Sequence, residues 1–199
     1  MTPILITLTG PTCGGKTTIH RQLVDHFNVR PIVSTTTRAP RPGEVDGRDY
    51  YFITEAQSHL LEQDGKFAEL VTFNDTRYGV TTDEMRRFKG HGLGVVILEP
   101  NGVRQYRDLS EKWNFRPFNV FVSCHTSVRT ARLKQRFSTD LQHGVEVETA
   151  VNTLVKRLYS TLTEEQHWVG EWKWDLRLDT DVTAPQHLAQ SIMENVHRQ

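Results

Sequence analysis

Eight residues near the start, Gly10-Pro-Thr-Cys-Gly-Gly-Lys-Thr17, constrain this chain more than anything else in it. They fit the spacing G-x-x-x-x-G-K-[ST]. The run before them, Ile4 to Leu8, is short and apolar and reads as a buried strand. After them, Ile19, Leu23, Val24 and Phe27 fall on one face of a helical pattern that Pro31 ends. In that setting glycines let backbone N–H groups converge on phosphate oxygens without a Cβ in the way. The helix N-terminus adds a partial positive charge. Gly10, Pro11, Thr12, Cys13, Gly14, Gly15, Lys16, Thr17 and Thr18 are therefore the candidate ligands of a nucleoside triphosphate. Lys16 sets a point charge against the β and γ phosphates, and Thr17 offers a hydroxyl to Mg²⁺. The bland reading of these residues is a glycine-rich turn with an incidental lysine.

The rest of the chain fits a sheet that would present such a loop. Leu93 to Leu98 and Asn119 to Cys124 read as buried strands, with a helix through Val103 to Asp108 between them. From Ser127 to about Trp168 the pattern is helical and rich in arginine. A last short strand spans Asp175 to Asp179, and Thr183 is the expected N-cap of a closing helix with Pro185 in its first turn. Buried strands separated by helices predict a three-layer α/β sandwich with a parallel sheet. Residues 33–84 differ: short β-branched runs, Tyr50 to Ile53 among them, and turns at Pro40, Gly43 and Gly47 predict an inserted, partly antiparallel subdomain. The expected division is a core of 1–32, 85–125 and 166–199, the insert at 33–84, and a helical lid at 126–165.

Composition narrows the function classes. The 199 residues hold 24 Lys+Arg and 24 Asp+Glu, so the chain is neither a nucleic-acid wrapper nor a polybasic membrane binder. No apolar window is long enough for a membrane-spanning helix. Two cysteines, Cys13 and Cys124, cannot build a disulfide framework, which makes a reducing, cytoplasmic setting the expectation. Trp113, Trp168, Trp172 and Trp174 read as core or rim residues, and Cys13 as a neutral filler inside the loop. A monomer and a homodimer are both left open.

Within the insert, Arg38 and Arg41 stand three residues apart, held by Pro40 and Pro42, with Tyr50 and Tyr51 following. Guanidinium forks recognise phosphate in two-point fashion, so this is either an anion clamp or a solvated basic loop. The block Ser34-Thr-Thr-Thr-Arg-Ala-Pro-Arg-Pro-Gly-Glu-Val-Asp-Gly-Arg-Asp-Tyr-Tyr-Phe52 closely resembles one of the guanylate kinase family. The glycine-rich loop before it, and Phe67-Ala-Glu69 and Arg77-Tyr78-Gly79 after it, follow in that family's order through residue 104. The likeness weakens beyond residue 120.

The resemblance implies a nucleoside monophosphate kinase that moves the γ-phosphoryl group of ATP, with Mg²⁺, to GMP or dGMP. It implies that Arg38, Arg41, Tyr50 and Tyr78 bind the acceptor phosphate, with Gly79 beside them. Glu69 would accept from guanine N1 and N2, and Ser34 would meet O6. Adenine has no donors at those positions and would leave a buried carboxylate unpaired. Val80 stands where the family has Ser or Thr against the base. A modified or deoxy guanine nucleotide, or a drifted position, would account for it. Glu99 keeps one of two acids the family places at a strand end, and Ile97 replaces the other. Arg132-Leu-Lys-Gln-Arg136 and Lys156-Arg157-Leu158 resemble the lid sequences, making Arg136 and Arg157 the catalytic arginines beside Lys16. The competing classes are a kinase of another monophosphate and a non-catalytic binding module. Modules of this kind typically lose the loop lysine, and Lys16 is present.

Overall fold

The computed structural model describes residues 2–41, 43–73, 75–98, 100–163 and 173–198. Five strands form an all-parallel sheet in the order β2-β7-β1-β8-β9. They are β1 (Ile4–Thr9), β2 (Arg30–Pro31), β7 (Leu93–Ile97), β8 (Arg116–Ser123) and β9 (Leu176–Asp179). Alternate side chains of these strands go to opposite faces. Ile6 and Leu8 of β1 pack with Val95, Phe118, Val120 and Val122 under α1 (Lys16–Phe27) and α7 (Pro185–His197). Leu5 and Val96 pack on the other face with Tyr106 and Val103 of α4 (Pro100–Trp113) and with Met85 and Phe88 of α3 (Thr82–Lys89). That is the predicted three-layer sandwich.

Ile19 and Leu23 of α1 are buried, and Val24 and Phe27 pack partly against the same core, as their spacing predicts. In the sheet β1 lies between β7 and β8, so the loop after β1 sits at the carboxyl end of the central strand, where connections leave to both sides. Parallel α/β sheets bind their ligands at such a switch point.

The second sheet runs β4-β3-β6-β5, from β3 (Thr35–Thr36), β4 (Tyr51–Phe52), β5 (Phe67–Phe73) and β6 (Thr76–Thr81). β6 is antiparallel to both neighbours, and β3 and β4 are parallel. The insert also holds α2 (Glu55–Gln63), which the sequence reading did not anticipate. Its signal was present: Thr54 and Gln57 form a reciprocal capping box, the T-x-x-Q start of a helix.

The arginine-rich stretch is two helices, α5 (Thr126–Gln142) and α6 (Val147–Thr163), joined by a turn with Gly144 at φ 80°. The closing helix differs from expectation by one residue. Ala184 is its N-cap and makes no side-chain cap bond, with Pro185 first inside, so Thr183 is not the cap. Trp113 and Trp174 pack partly buried against the second core cluster. Glu99, Trp168 and Trp172 lie outside the described residues. Among the described residues no helix is long and apolar enough to cross a membrane.

Candidate active site

A cavity of about 670 Å³ runs from the loop after β1 to the second sheet, with α5 and α6 on its third side. Of the described residues that line it, seven are Lys or Arg and one, Glu69, is acidic. The cations come from four places: Lys16 from the loop, Arg38 and Arg41 from the segment after β3, Arg132 and Arg136 from α5, and Lys156 and Arg157 from α6.

The loop is built to bring backbone close. Gly10 has φ +151°, and a Cβ there would run into the Val122 carbonyl of β8. Gly15 caps α1 in the left-handed region at φ 97°, where a side chain would be strained. Cys13 takes the same region at φ 60° without being glycine. Lys16 folds back over the loop, its Nζ donating to the Gly10 carbonyl at 2.5 Å and to Pro11 at 3.1 Å.

The loop's outer side is held by two residues whose part the sequence reading missed. Thr180, just past β9, donates through Oγ1 to the Gly14 carbonyl at 3.0 Å. Arg132 donates to the Cys13 carbonyl at 3.1 Å, to Thr180 Oγ1 at 2.9 Å and to the Thr180 carbonyl at 3.0 Å. One guanidinium thus ties α5 to the loop and to β9.

A second anion cradle faces the first. Glu44 braces Arg38, at 2.9 Å from Nη1 and 3.0 Å from Nη2, and accepts the Arg41 backbone N–H at 2.7 Å. The Arg38 guanidinium lies 5.5 Å from the Tyr50 ring centre and 5.7 Å from Phe52. Its buried Nε has no hydrogen-bond partner among the described residues. Burial opposes the charge on Arg38, but the Glu44 carboxylate outweighs it and holds its pKa above the usual value. Arg41 differs. Burial, then Arg136, Arg38 and Arg157, push it down to about 9. Burial and Arg136 also lower Arg157. The clamp arginines and the α5–α6 arginines therefore feel one another's charge across the cavity they line together. Tyr50 is pushed up to about 12, chiefly by burial, so it stays a neutral hydroxyl. Its ring meets that of Tyr78 edge-on at 6.2 Å.

The far end of the cavity holds Glu69, on β5 and 4% exposed. Burial pushes its carboxyl up to about 8, against the single backbone N–H of Val80 that it accepts. Ser34, Tyr78 and Gly79 line the same end. The side chain of Val80 does not. It is fully buried and packs with Leu5, Met85 and Phe88 in the second core cluster. Thr81, which the sequence offered as a neighbouring hydroxyl, caps α3 by accepting the Glu84 N–H at 3.2 Å. Ile97, in place of an acid, lines the cavity wall.

A phosphate loop facing a second arginine cradle across one cavity defines a P-loop nucleoside monophosphate kinase. The guanylate kinase family model matches residues 2–168, which extends the likeness through both α5 and α6. Guanylate kinase of Rubrobacter xylanophilus is 31% identical over 159 residues, 77% of this chain and 80% of that protein. That of Bradyrhizobium diazoefficiens is 30% identical over 83% of this chain and 71% of its own length. The match to the Trichormus variabilis enzyme, at 41%, spans about half of each chain, 52% and 53%. In fold, the chain resembles the guanylate kinase structure from Anaplasma phagocytophilum, with a TM-score of 0.67 over 99% of this chain and 86% of that one, at 17% identity. The chain belongs to the guanylate kinase family.

Proposed function

We propose that this chain transfers the γ-phosphoryl group of ATP to GMP or dGMP, giving ADP and the nucleoside diphosphate. The observation that carries the reading is one cavity with two opposed cationic cradles and, among the described residues, a single buried carboxylate at its far end.

In this reading the backbone of Gly10 to Thr18 and Lys16 hold the donor phosphates. Arg38, Arg41, Tyr50 and Tyr78 hold the acceptor phosphate, and Glu69 with Ser34 reads the base. An acceptor phosphate is already anionic near neutral pH, so the chain needs no general base. Its task is to align two anions and neutralise their charge. Arg136 and Arg157, opposite Arg41, are the groups for charge on the transferred phosphoryl, and α5 with α6 acts as the lid that excludes water. Mg²⁺ fits the residues present: Thr17 opens on the cavity with a hard oxygen donor, the kind this ion takes alongside phosphate oxygens and water. When bound it would neutralise charge on the β and γ phosphates.

The test is ADP production from ATP with Mg²⁺ against GMP, dGMP, AMP, CMP, UMP and dTMP. Turnover confined to guanine nucleotides is the expected outcome. Lys16→Ala should lower it by at least about 10²–10³-fold, the cost of one well-placed donor. Turnover with another base would overturn the base assignment. Wild-type rates in Lys16→Ala would overturn the mechanism.

A further inference from the structure

The base-reading carboxylate sits in an awkward place. β5 is the edge strand of its sheet, paired to β6 on one side only. The β5–β6 register breaks between Phe67 and Glu69. A bulge followed by an open edge leaves the strand free to twist just where Glu69 needs a fixed direction. The backbone groups of Leu70, the next residue, also need partners.

Two residues of α4 answer this. Gly102 and Gln105 are three apart and so share a face. Gly102 makes room: a Cβ there would stand 3.1 Å from Glu69 Oε1. Gln105 grips. Its Oε1 accepts the Leu70 N–H at 3.2 Å, and its Nε2 donates to the Leu70 carbonyl at 3.2 Å. The carboxamide thus stands in for a neighbouring strand at one position, beside Glu69. Tyr106, the next residue of α4, is fully buried in the second core cluster and anchors the helix there.

We propose that Gln105 is a positioning residue for guanine recognition: by pinning both backbone groups of Leu70 it holds the Glu69 carboxylate at the depth and angle at which it meets N1 and N2 of the base. The inference rests on the guanine reading above.

Gln105→Leu removes both bonds at similar volume. Gln105→Met, unbranched and of similar length, serves the same measurement if the leucine variant does not fold. The readouts are KM and kcat for GMP and for IMP, whose base keeps N1–H but lacks the 2-amino group, together with KM for ATP. KM for GMP is expected to rise about ten-fold, near 1.4 kcal/mol. The kcat at saturation and KM for ATP stay within about two-fold, as for lost binding that is equal in ground and transition states. The preference for GMP over IMP contracts, because a tilted carboxylate loses its two-point contact. In a Glu69→Gln background the same substitution should have little further effect. The Leu70 amide should exchange with solvent at least ten-fold faster, a readout independent of turnover.

Equal losses for GMP and IMP, a fall in kcat at unchanged KM, or no change in an enzyme specific for GMP would each overturn the inference and leave the guanine reading standing. A wild type that uses a different base would overturn both.

Discussion

At the residue scale the decisive group is Glu69. Its proton stays on to about pH 8 in the folded chain, against an ordinary 4.5, because burial opposes the charge. The folded state therefore holds a proton that the unfolded chain gives up, and stability falls as pH rises between these two values. The thermal midpoint should show that decline in the wild type and lose part of it in Glu69→Gln. Parallel pH profiles would contradict the burial argument. In the proposed reading guanine needs the Glu69 anion, so GMP binding releases a proton, and KM for GMP should fall as pH rises towards 8. Val80 gives a second, simpler expectation. Its side chain lies in the core, so Val80→Thr buries a hydroxyl at a cost of about 1–3 kcal/mol. A lower thermal midpoint with no gain in KM for GMP would bear this out, and tighter GMP binding would place the residue against the base instead.

At the scale of elements, α5 and α6 bring cations to a cradle that already has two. Burial first, then the charges of Arg136, Arg38 and Arg157, lower Arg41, and all four arginines line the same cavity. In the proposed reading Arg136 and Arg157 serve charge that develops during transfer, so Arg136→Ala and Arg157→Ala should each lower kcat by about 10²-fold or more, with KM for either nucleotide changed far less. A rise in KM at unchanged kcat would make them binding groups only. Arg132 belongs to the same helix but has another task. Its three bonds to Cys13 and Thr180 make it a strut between α5, the phosphate loop and β9. The exposed Lys156–Asp75 pair, 3.8 Å apart, joins α6 to the β5–β6 turn and is of the kind that contributes little in water.

For the whole molecule the cavity gathers positive charge: seven cations and one acid among its described lining residues, in a chain whose 24 basic and 24 acidic side chains cancel overall. Any anion that occupies both cradles relieves this repulsion. Ligands that bind only the folded chain raise its stability by about 2.7 kcal/mol at a hundred times their Kd. ATP with GMP should therefore raise the thermal midpoint more than either alone. Inorganic phosphate should raise it too, and less so in Arg41→Ala. A midpoint indifferent to anions would mean the cradles do not act together.

Much of this was legible from the residues alone, for a local reason. The phosphate loop, the Arg38–Arg41 clamp and the alternation of β1 are set by neighbours in the chain, so spacing and period reveal them. Lys16, Arg38 and Arg41 line one cavity, and Glu69, which only the family resemblance singled out, lines it with them. The Thr54–Gln57 capping box was equally local, and its helix could have been read there. What spacing cannot carry is direction across elements. That Val80 turns into the core beside Leu5 depends on the β5–β6 register and on α3 packing behind it. The strut of Arg132 to a threonine 48 positions away, and the grip of Gln105 on a strand 35 positions away, depend on which helix lies against which edge. The sequence determined the chemistry available. The packing of α4 and α5 decided which groups face the ligands and which hold those groups still, because only tertiary contact brings such distant backbone groups within hydrogen-bond reach.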